Sequence, residues 1–332
     1  MDKIKVRITY PTKNTMLFIA NSIYDLNLNP SLTKTKLIKE MNELYSIEEN
    51  ILKLTEILSI DSYKKLEKIF NDYKNGIDPS ISYLENESSD LLDTVLFYLE
   101  ETKYPDNSID YKYHYNKAAF NNMEVLFNEK GKSYFKKEEL FENVVVGLTN
   151  IYGVIKMDYF VSLVNNYLNT TFDEDSLIDK LLIKLKFNQK VNNFTINWKN
   201  LGESDHFFTF FEYDDELGLL CESQKQIKFE YNIFDLDEIV KRAQNKYDNY
   251  TYEVINKLKE SNKELNDEYL DEFVLNSFKG SEKAVKELDM ILKDASDKDE
   301  LLEMLALWHN NIGLYPLCGN SIDSMKEENF VS

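Results

Sequence analysis

The sequence predicts a mainly α protein with minor β, and three observations carry that expectation. Only nine Gly and five Pro occur in 332 residues, too few for the many tight turns of a sandwich or barrel. Leu, Lys, Glu and Asn dominate, a composition that favours helices. Apolar residues recur at helical spacing in most segments and alternate in only a few short ones. The length exceeds one hydrophobic core, so the expected organisation has four parts. These are a small helical module with an N-terminal strand at 1–78, an acidic helical connection at 79–130, a winged-helix-like domain at 131–200 and an acidic helical bundle at 201–332.

The module opens on IKVRITY, in which Ile4, Val6 and Ile8 alternate with Lys5 and Arg7, a half-buried strand pattern that stops at Pro11. Thr33 or Thr35 then caps a helix whose Leu37, Ile38, Met41, Leu44 and Tyr45 share one face. Helical turns follow at Ile51–Leu58 and Ser62–Tyr73 before Gly76 and Pro79 end the pattern. In the connection, Leu91, Leu92, Val95, Leu96 and Leu99 predict a helix, and Pro105, Asp106 and Asn107 a turn. His114 sits among Tyr111, Tyr113 and Tyr115 with no second His nearby, which favours a surface or packing role over metal binding.

The third segment predicts a helix over Leu140, Phe141, Val144, Val145 and Leu148 that closes near Tyr152 and Gly153. A short strand at Val154 and Ile155 leads to a second helix with Phe160, Val161, Leu163, Val164 and Tyr167. Asp173 caps a third, with Leu177, Ile178, Leu181, Leu182 and Leu185 expected inward, and Asn192 and Asn193 turn a hairpin. That order is the order of a winged helix. Its third helix begins with Glu174, Asp175 and Asp179 and reaches exposed Lys180, Lys184 and Lys186 only later. The end that would meet bases is therefore acidic, which favours packing or protein binding over DNA reading.

In the last segment Asp235, Asn266 and Asp297 are expected N-caps and Gly280 a helix stop. About five helices are expected to form a bundle. Its tail, ALWHNNIGLYPLCGNSIDSM, holds one of two Trp, one of three His and one of two Cys. Leu302, Leu305 and Trp308 share a face, and the Gly- and Pro-containing turn would fold Tyr315, Leu317 and Cys318 back onto it, so the stretch is expected to seal the bundle.

Formal charge is −20, unevenly spread. Residues 1–80 hold 12 basic and 11 acidic side chains and 131–200 hold 9 and 8, whereas 81–130 hold 4 and 10 and 201–332 hold 14 and 30. This distribution argues against a chain that binds nucleic acid along its whole length. Only Arg7 and Arg242 are arginines, and phosphate recognition commonly uses Arg forks. No apolar run approaches the roughly 20 residues of a membrane span, and the first apolar stretch is too short for a signal-peptide core. Cys221 and Cys318 offer neither a disulfide framework nor zinc spacing. A cytoplasmic location is expected.

Glu203, Asp205, His206, Glu212, Asp214, Asp215 and Glu216 form the densest set of possible metal ligands, but they match no ligand spacing, and a solvated loop is the expected reading. Asp294, Asp297, Asp299 and Glu300 fail calcium-loop spacing at Leu301. No family signature surrounds Cys318 to make it, with His309, a nucleophile and base. With no phosphate loop and no catalytic motif, no cofactor, metal or enzyme activity is expected.

Two resemblances follow from quoted residues. The rhythm of short helix, Thr-Lys-x-x-Leu and short helix at 33–37 resembles SAP-like and Rho-N-like modules. That likeness would make Lys34, Lys36 and Lys39 nucleic-acid contacts, although they equally suit a solvated helix face. The tail resembles that of an uncharacterised group of low-GC Gram-positive bacterial proteins, through Leu307, Trp308, Asn310, Asn311, Tyr315, Gly319 and Ser321. His309 is extra within the Trp-Asn step, and Ile322 stands where that group prefers Pro. The block LTNIYGVIKMDYF is similar to the middle of the same proteins. Some of them carry a zinc-binding SEC-C motif after the tail; its cysteines are not present here, so no zinc is implied.

The function expected is that of a non-enzymatic regulatory or adaptor protein that presents acidic helical surfaces to a basic protein partner. Glu174, Asp175, Asp179, Asp214, Asp215 and Glu216 are the candidate surface. The alternatives are a nucleic-acid-associated winged-helix regulator and an acidic inhibitor that imitates nucleic acid.

Overall fold

The computed structural model describes residues 4–85, 89–186, 195–196, 207–209, 215–226, 230–263, 265–293, 295 and 297–330. The protein is mainly helical with little strand. The chain divides into two compact units, one of Met1–Glu142 with Ser176–Asn192 and the other of Asn143–Asp175 with Asn193–Ser332. Among the described residues no helix is long and apolar enough to cross a membrane.

Unit 1 is built around an antiparallel sheet of order β1-β2-β3, formed by β1 (Lys5–Tyr10), β2 (Phe97–Lys103) and β3 (Ile109–Tyr115). Between β1 and β2 run α1 (Lys13–Phe18), α2 (Lys34–Leu44), α3 (Glu48–Leu52), α4 (Leu54–Ile57), α5 (Ile60–Lys74), α6 (Pro79–Glu85) and α7 (Ser89–Asp93). After β3 come α8 (Lys117–Asn122), α9 (Glu124–Phe127) and α10 (Glu129–Tyr152), the last belonging to this unit as far as Glu142. Thr33 caps α2 and Ser59 caps α5, their hydroxyls accepting the Lys36 and Ser62 N–H groups that helix starts leave unpaired. The helices bury Met16, Leu37, Met41, Leu54 and Leu66 against Phe97 and Phe120 in one core. Tyr45 lies in it and satisfies its hydroxyl by donating to the Thr94 carbonyl at 2.7 Å.

The helix expected through Leu99 ends at Asp93. Val95 takes φ +62, and the chain enters β2 at Phe97. The leucine spacing loses because β2 is the central strand, paired on one side with β1 and on the other with β3. Two ladders satisfy its main chain, a gain that outweighs local helical preference.

Helix α12 (Glu174–Lys186) contributes its Ser176–Lys186 part to unit 1. Its buried stripe is Leu177, Leu181 and Lys184, while Leu182 is 47% exposed. The sequence reading placed Leu182 inward and Lys184 outward; the structure reverses both. The side chain of Leu185 lies outside those described. Positions 177, 181 and 184 share a face at helical spacing, so the aliphatic stem of Lys184 fills the place expected for a leucine.

Unit 2 contains a second antiparallel sheet of order β4-β6-β5, from β4 (Val154–Lys156), β5 (Thr195–Ile196) and β6 (Phe207–Thr209). It also holds α11 (Met157–Leu168), α13 (Asp215–Gln226), α14 (Leu236–Gln244), α15 (Asn249–Ser261), α16 (Asp267–Phe278), α17 (Glu282–Leu292), α18 (Lys298–Asn311) and α19 (Ile322–Phe330). The expected hairpin turn at Asn192 and Asn193 lies outside the described residues. Gly153 ends α10 at φ +67, and a Cβ there would sit 2.4 Å from the Tyr315 ring, so only Gly allows that close approach. Asp235 and Asn266 cap α14 and α16 at 2.8 Å each. Asp297, by contrast, makes no capping hydrogen bond to α18. Its φ of −119 and ψ of 51 depart from the extended geometry that aims a cap side chain at the helix N–H groups.

The core of unit 2 gathers Val254, Leu258, Leu270, Val274 and Phe278 around Trp308, which is 1% exposed. The inward stripe of α18 is Leu301, Leu305 and Trp308; Leu302 is 43% exposed. Tyr315 and Cys318 fold back into burial as the tail pattern indicates, and Leu317 is half-buried.

Candidate partner-docking groove

The exposed Leu302 marks one wall of a groove in unit 2. Leu302, Ala306 and His309 of α18 face Ala284, Val285 and Leu288 of α17 across a cavity of about 210 Å³. The buried Phe273 and Ser277 of α16, with Leu305 and Trp308, line its bottom. α17 has a wider apolar stripe than its core contact uses: Ile291 and Leu292 are buried, while Val285 is 66% exposed. A volume below the roughly 300 Å³ at which small-molecule pockets begin suits side chains of a partner better than a whole ligand.

Carboxylates outnumber cations along the groove's rims. On a helix, residues three and four apart are neighbours. Glu282 and Asp289 therefore flank Val285, Asp299 adjoins Leu302, and Glu303 adjoins Ala306. All four carboxylates are exposed, and none is in an ion pair with another described residue. Lys283 and Lys286 of α17 line a separate hollow with Leu219, Gly280 and Pro316, which Glu282 also borders, and Lys298, four residues before Leu302, donates to the Lys293 carbonyl at 2.8 Å. Unit 2 as a whole holds 16 basic and 34 acidic residues, against 23 and 25 in unit 1. A partner surface with an apolar stripe and basic flanks would gain from both the groove and the field around it.

One titratable group lies inside the groove. Burial lowers the pKa of His309 below its ordinary 6.5, because desolvation disfavours the imidazolium. At neutral pH the imidazole therefore adds no cation to the site. Trp308, beneath it, donates Nε1–H to the hydroxyl of Thr251 at 3.0 Å and lies edge-on to Phe278. That hydrogen bond and the aromatic contacts hold the groove's bottom in place.

The residues singled out from sequence do not form this site. Asp175 and Asp179 are exposed and Glu174 half-buried on the first turns of α12. Asp215 and Glu216 open α13, while Glu203, Asp205, His206, Glu212 and Asp214 lie outside the described residues. Lys34 is engaged: its ammonium donates to the Ile8 and Thr9 carbonyls at 3.3 and 2.8 Å. Lys36 is exposed, and Lys39 pairs with Glu43 at 3.5 Å. Lys180 pairs with Glu138 through both carboxylate oxygens at 2.8 and 2.9 Å. Lys184 donates to the Leu58 and Thr55 carbonyls at 2.8 and 3.3 Å and lies 3.9 Å from Glu142. Cys318 is buried, and burial pushes its thiol up to about 11, a poor state for a nucleophile.

Sequence reading passed over the α17–α18 groove because its apolar residues read as core. The available signal was Val285, which lies beyond the arc that Ile291 and Leu292 define, between Glu282 and Asp289. No family model, curated protein or solved structure matches this chain.

Proposed function

We propose that this protein is a non-enzymatic adaptor or regulator that captures a basic amphipathic helix of a partner protein in the α17–α18 groove. The observation that carries the reading is the exposed apolar pair Val285 and Leu302 flanked by four carboxylates, none of them in an ion pair with another described residue. Helix-in-groove recognition uses such apolar anchors for affinity and complementary rim charge for orientation and encounter rate. A cytoplasmic setting belongs to the same proposal.

The test is a titration of the full chain with a fluorescent Leu/Lys amphipathic helix of about 18 residues, five turns long, against its scrambled sequence. Micromolar binding of the amphipathic form is expected, weakening as salt rises. Burying an exposed Val or Leu is worth about 1.5–3 kcal/mol, so Val285→Ser with Leu302→Ser should weaken binding tenfold or more. Asp289→Asn with Glu303→Gln should flatten the salt dependence. Equal binding of the scrambled peptide, or indifference to both variant pairs, would refute the proposal.

A second reading, a winged-helix regulator on nucleic acid, draws support from the order of α10, β4, α11, α12, β5 and β6 and from the strand order β4-β6-β5. The engagement of Lys34, Lys180 and Lys184 within unit 1 weighs against it, since a lysine held by protein oxygens is not available to phosphate. Salt-dependent DNA or RNA binding by the full chain, reduced by Lys36→Ala, would revive it.

A further inference from the structure

The sheet of unit 1 has two outer strands, and they are treated differently. An outer strand presents a row of main-chain N–H and C=O groups that can template pairing with another chain. At β1 that edge is plugged where Lys34 donates to the Ile8 and Thr9 carbonyls. At β3 no such plug is present among the described residues.

The register shows which groups of β3 point outward. The Asn116 N–H donates to the Leu96 carbonyl at 2.8 Å, and in an antiparallel ladder bonded pairs recur every second residue. Asp110, Lys112 and His114 therefore bond to β2, and the main-chain groups of Ile109, Tyr111, Tyr113 and Tyr115 point away from it. Among the described residues no main-chain hydrogen bond from another element reaches Ile109, Tyr111 or Tyr115.

A cavity of about 890 Å³ runs along this edge. Tyr111 to Tyr115 border it consecutively. Side chains of a strand alternate between faces, so five successive residues can border one cavity only if it follows the strand's edge. Across from them stand Ile81 and Leu84 of α6, 58% and 55% exposed, and Asn42 of α2. Within this lining two buried atoms have no hydrogen-bond partner, Asn42 Oδ1 and His114 Nε2; the latter lies 3.5 Å from a Glu100 carboxylate oxygen. Lys112 and Lys117 border the cavity and are in no ion pair with another described residue, against one carboxylate, Asp78.

We infer that β3 is a docking edge for an extended polypeptide segment of another protein, which adds a fourth strand and places alternate apolar and acidic side chains in the cavity. The peptide main chain supplies N–H and C=O groups at strand spacing to the outward main-chain groups of β3. Its apolar side chains cover Ile81 and Leu84, and its acidic ones meet Lys112 and Lys117. This site lies in the unit of nearly balanced charge and is independent of the α17–α18 groove; with both, the chain could hold two partner segments.

The test uses the full chain and a labelled peptide, acetyl-Glu-Val-Glu-Val-Glu-Val-Glu-amide, matched to the seven residues of β3. Saturable binding is expected by fluorescence anisotropy. N-methylation of every second peptide amide removes the donors and should weaken binding tenfold or more with the protein unchanged. Tyr111→Pro removes an outward N–H, which an edge strand tolerates; it should keep the melting temperature and lose binding. Lys112→Pro removes a ladder bond to β2 and should lower the melting temperature, which checks the register. Absence of saturation at millimolar peptide, or N-methylation without effect, would overturn the inference. So would a dimer in sedimentation that Tyr111→Pro dissociates, because a second copy would then own the edge.

Discussion

Trp308→Ala is the substitution that loads most of the unit 2 packing onto one number. The ring is 1% exposed, lies 6.1 Å from Phe273 and 6.5 Å from Phe278, and donates to a Thr251 hydroxyl in a residue that is fully buried. Large-to-small aromatic changes in cores cost about 3–5 kcal/mol through lost transfer energy and the cavity left behind. The lost hydrogen bond adds about 1 kcal/mol. A total of about 4–6 kcal/mol corresponds to a fall of about 8–24 °C in the melting temperature of a unit of this size. Circular dichroism at increasing temperature measures it, with the loss expected in the unit 2 transition. Trp308→Phe keeps a ring but loses the N–H donor, and should cost distinctly less. A melting temperature for Trp308→Ala within 2 °C of the parent would refute the packing argument, and with it the claim that this ring supports the docking groove.

Lys184→Met should destabilise unit 1 by about 3–5 kcal/mol, because it removes the buried cation 3.9 Å from the buried Glu142 carboxylate. Lys184→Met with Glu142→Leu should recover most of that loss, and urea denaturation of both compares them; equal losses would show that the ion pair is not the source. For His309 the folded pKa lies below the unfolded 6.5, so the unfolded chain binds more protons between the two values. The stability this group contributes is then full above pH 6.5 and is lost as pH falls toward the folded pKa. His309→Gln should remove that component from the pH–stability curve, and binding of a basic helix should weaken over the same window as the imidazolium forms in the groove.

The candidate sites show different degrees of legibility. The strand at β1 was legible, although Ile4 and Val6 are each 57% exposed instead of half-buried; the caps Thr33, Asp235 and Asn266 and the stops Gly153 and Gly280 rest on local rules, in which one side chain or one backbone conformation answers one unpaired group. They were readable. β3 carried a readable signal as well, since Tyr111, Tyr113 and Tyr115 alternate with Asp110, Lys112 and His114, yet their exposure and charge made the stretch resemble a connection. An edge strand looks polar on both faces because only one ladder and part of one face need burial.

Helical class, charge imbalance and the starts and stops of many helices follow from composition and local hydrogen-bonding chemistry, which act within a few residues. Tertiary structure decided the rest. Pairing on both sides made Phe97–Lys103 a strand against its leucine pattern, and burial between Thr55, Leu58 and Glu142 turned Lys184 inward while Leu182 faced out. Packing of α17 and α18 likewise left Val285 and Leu302 exposed. Each outcome depends on which distant group satisfies a buried polar atom or covers an apolar one, and sequence spacing does not encode those partners locally.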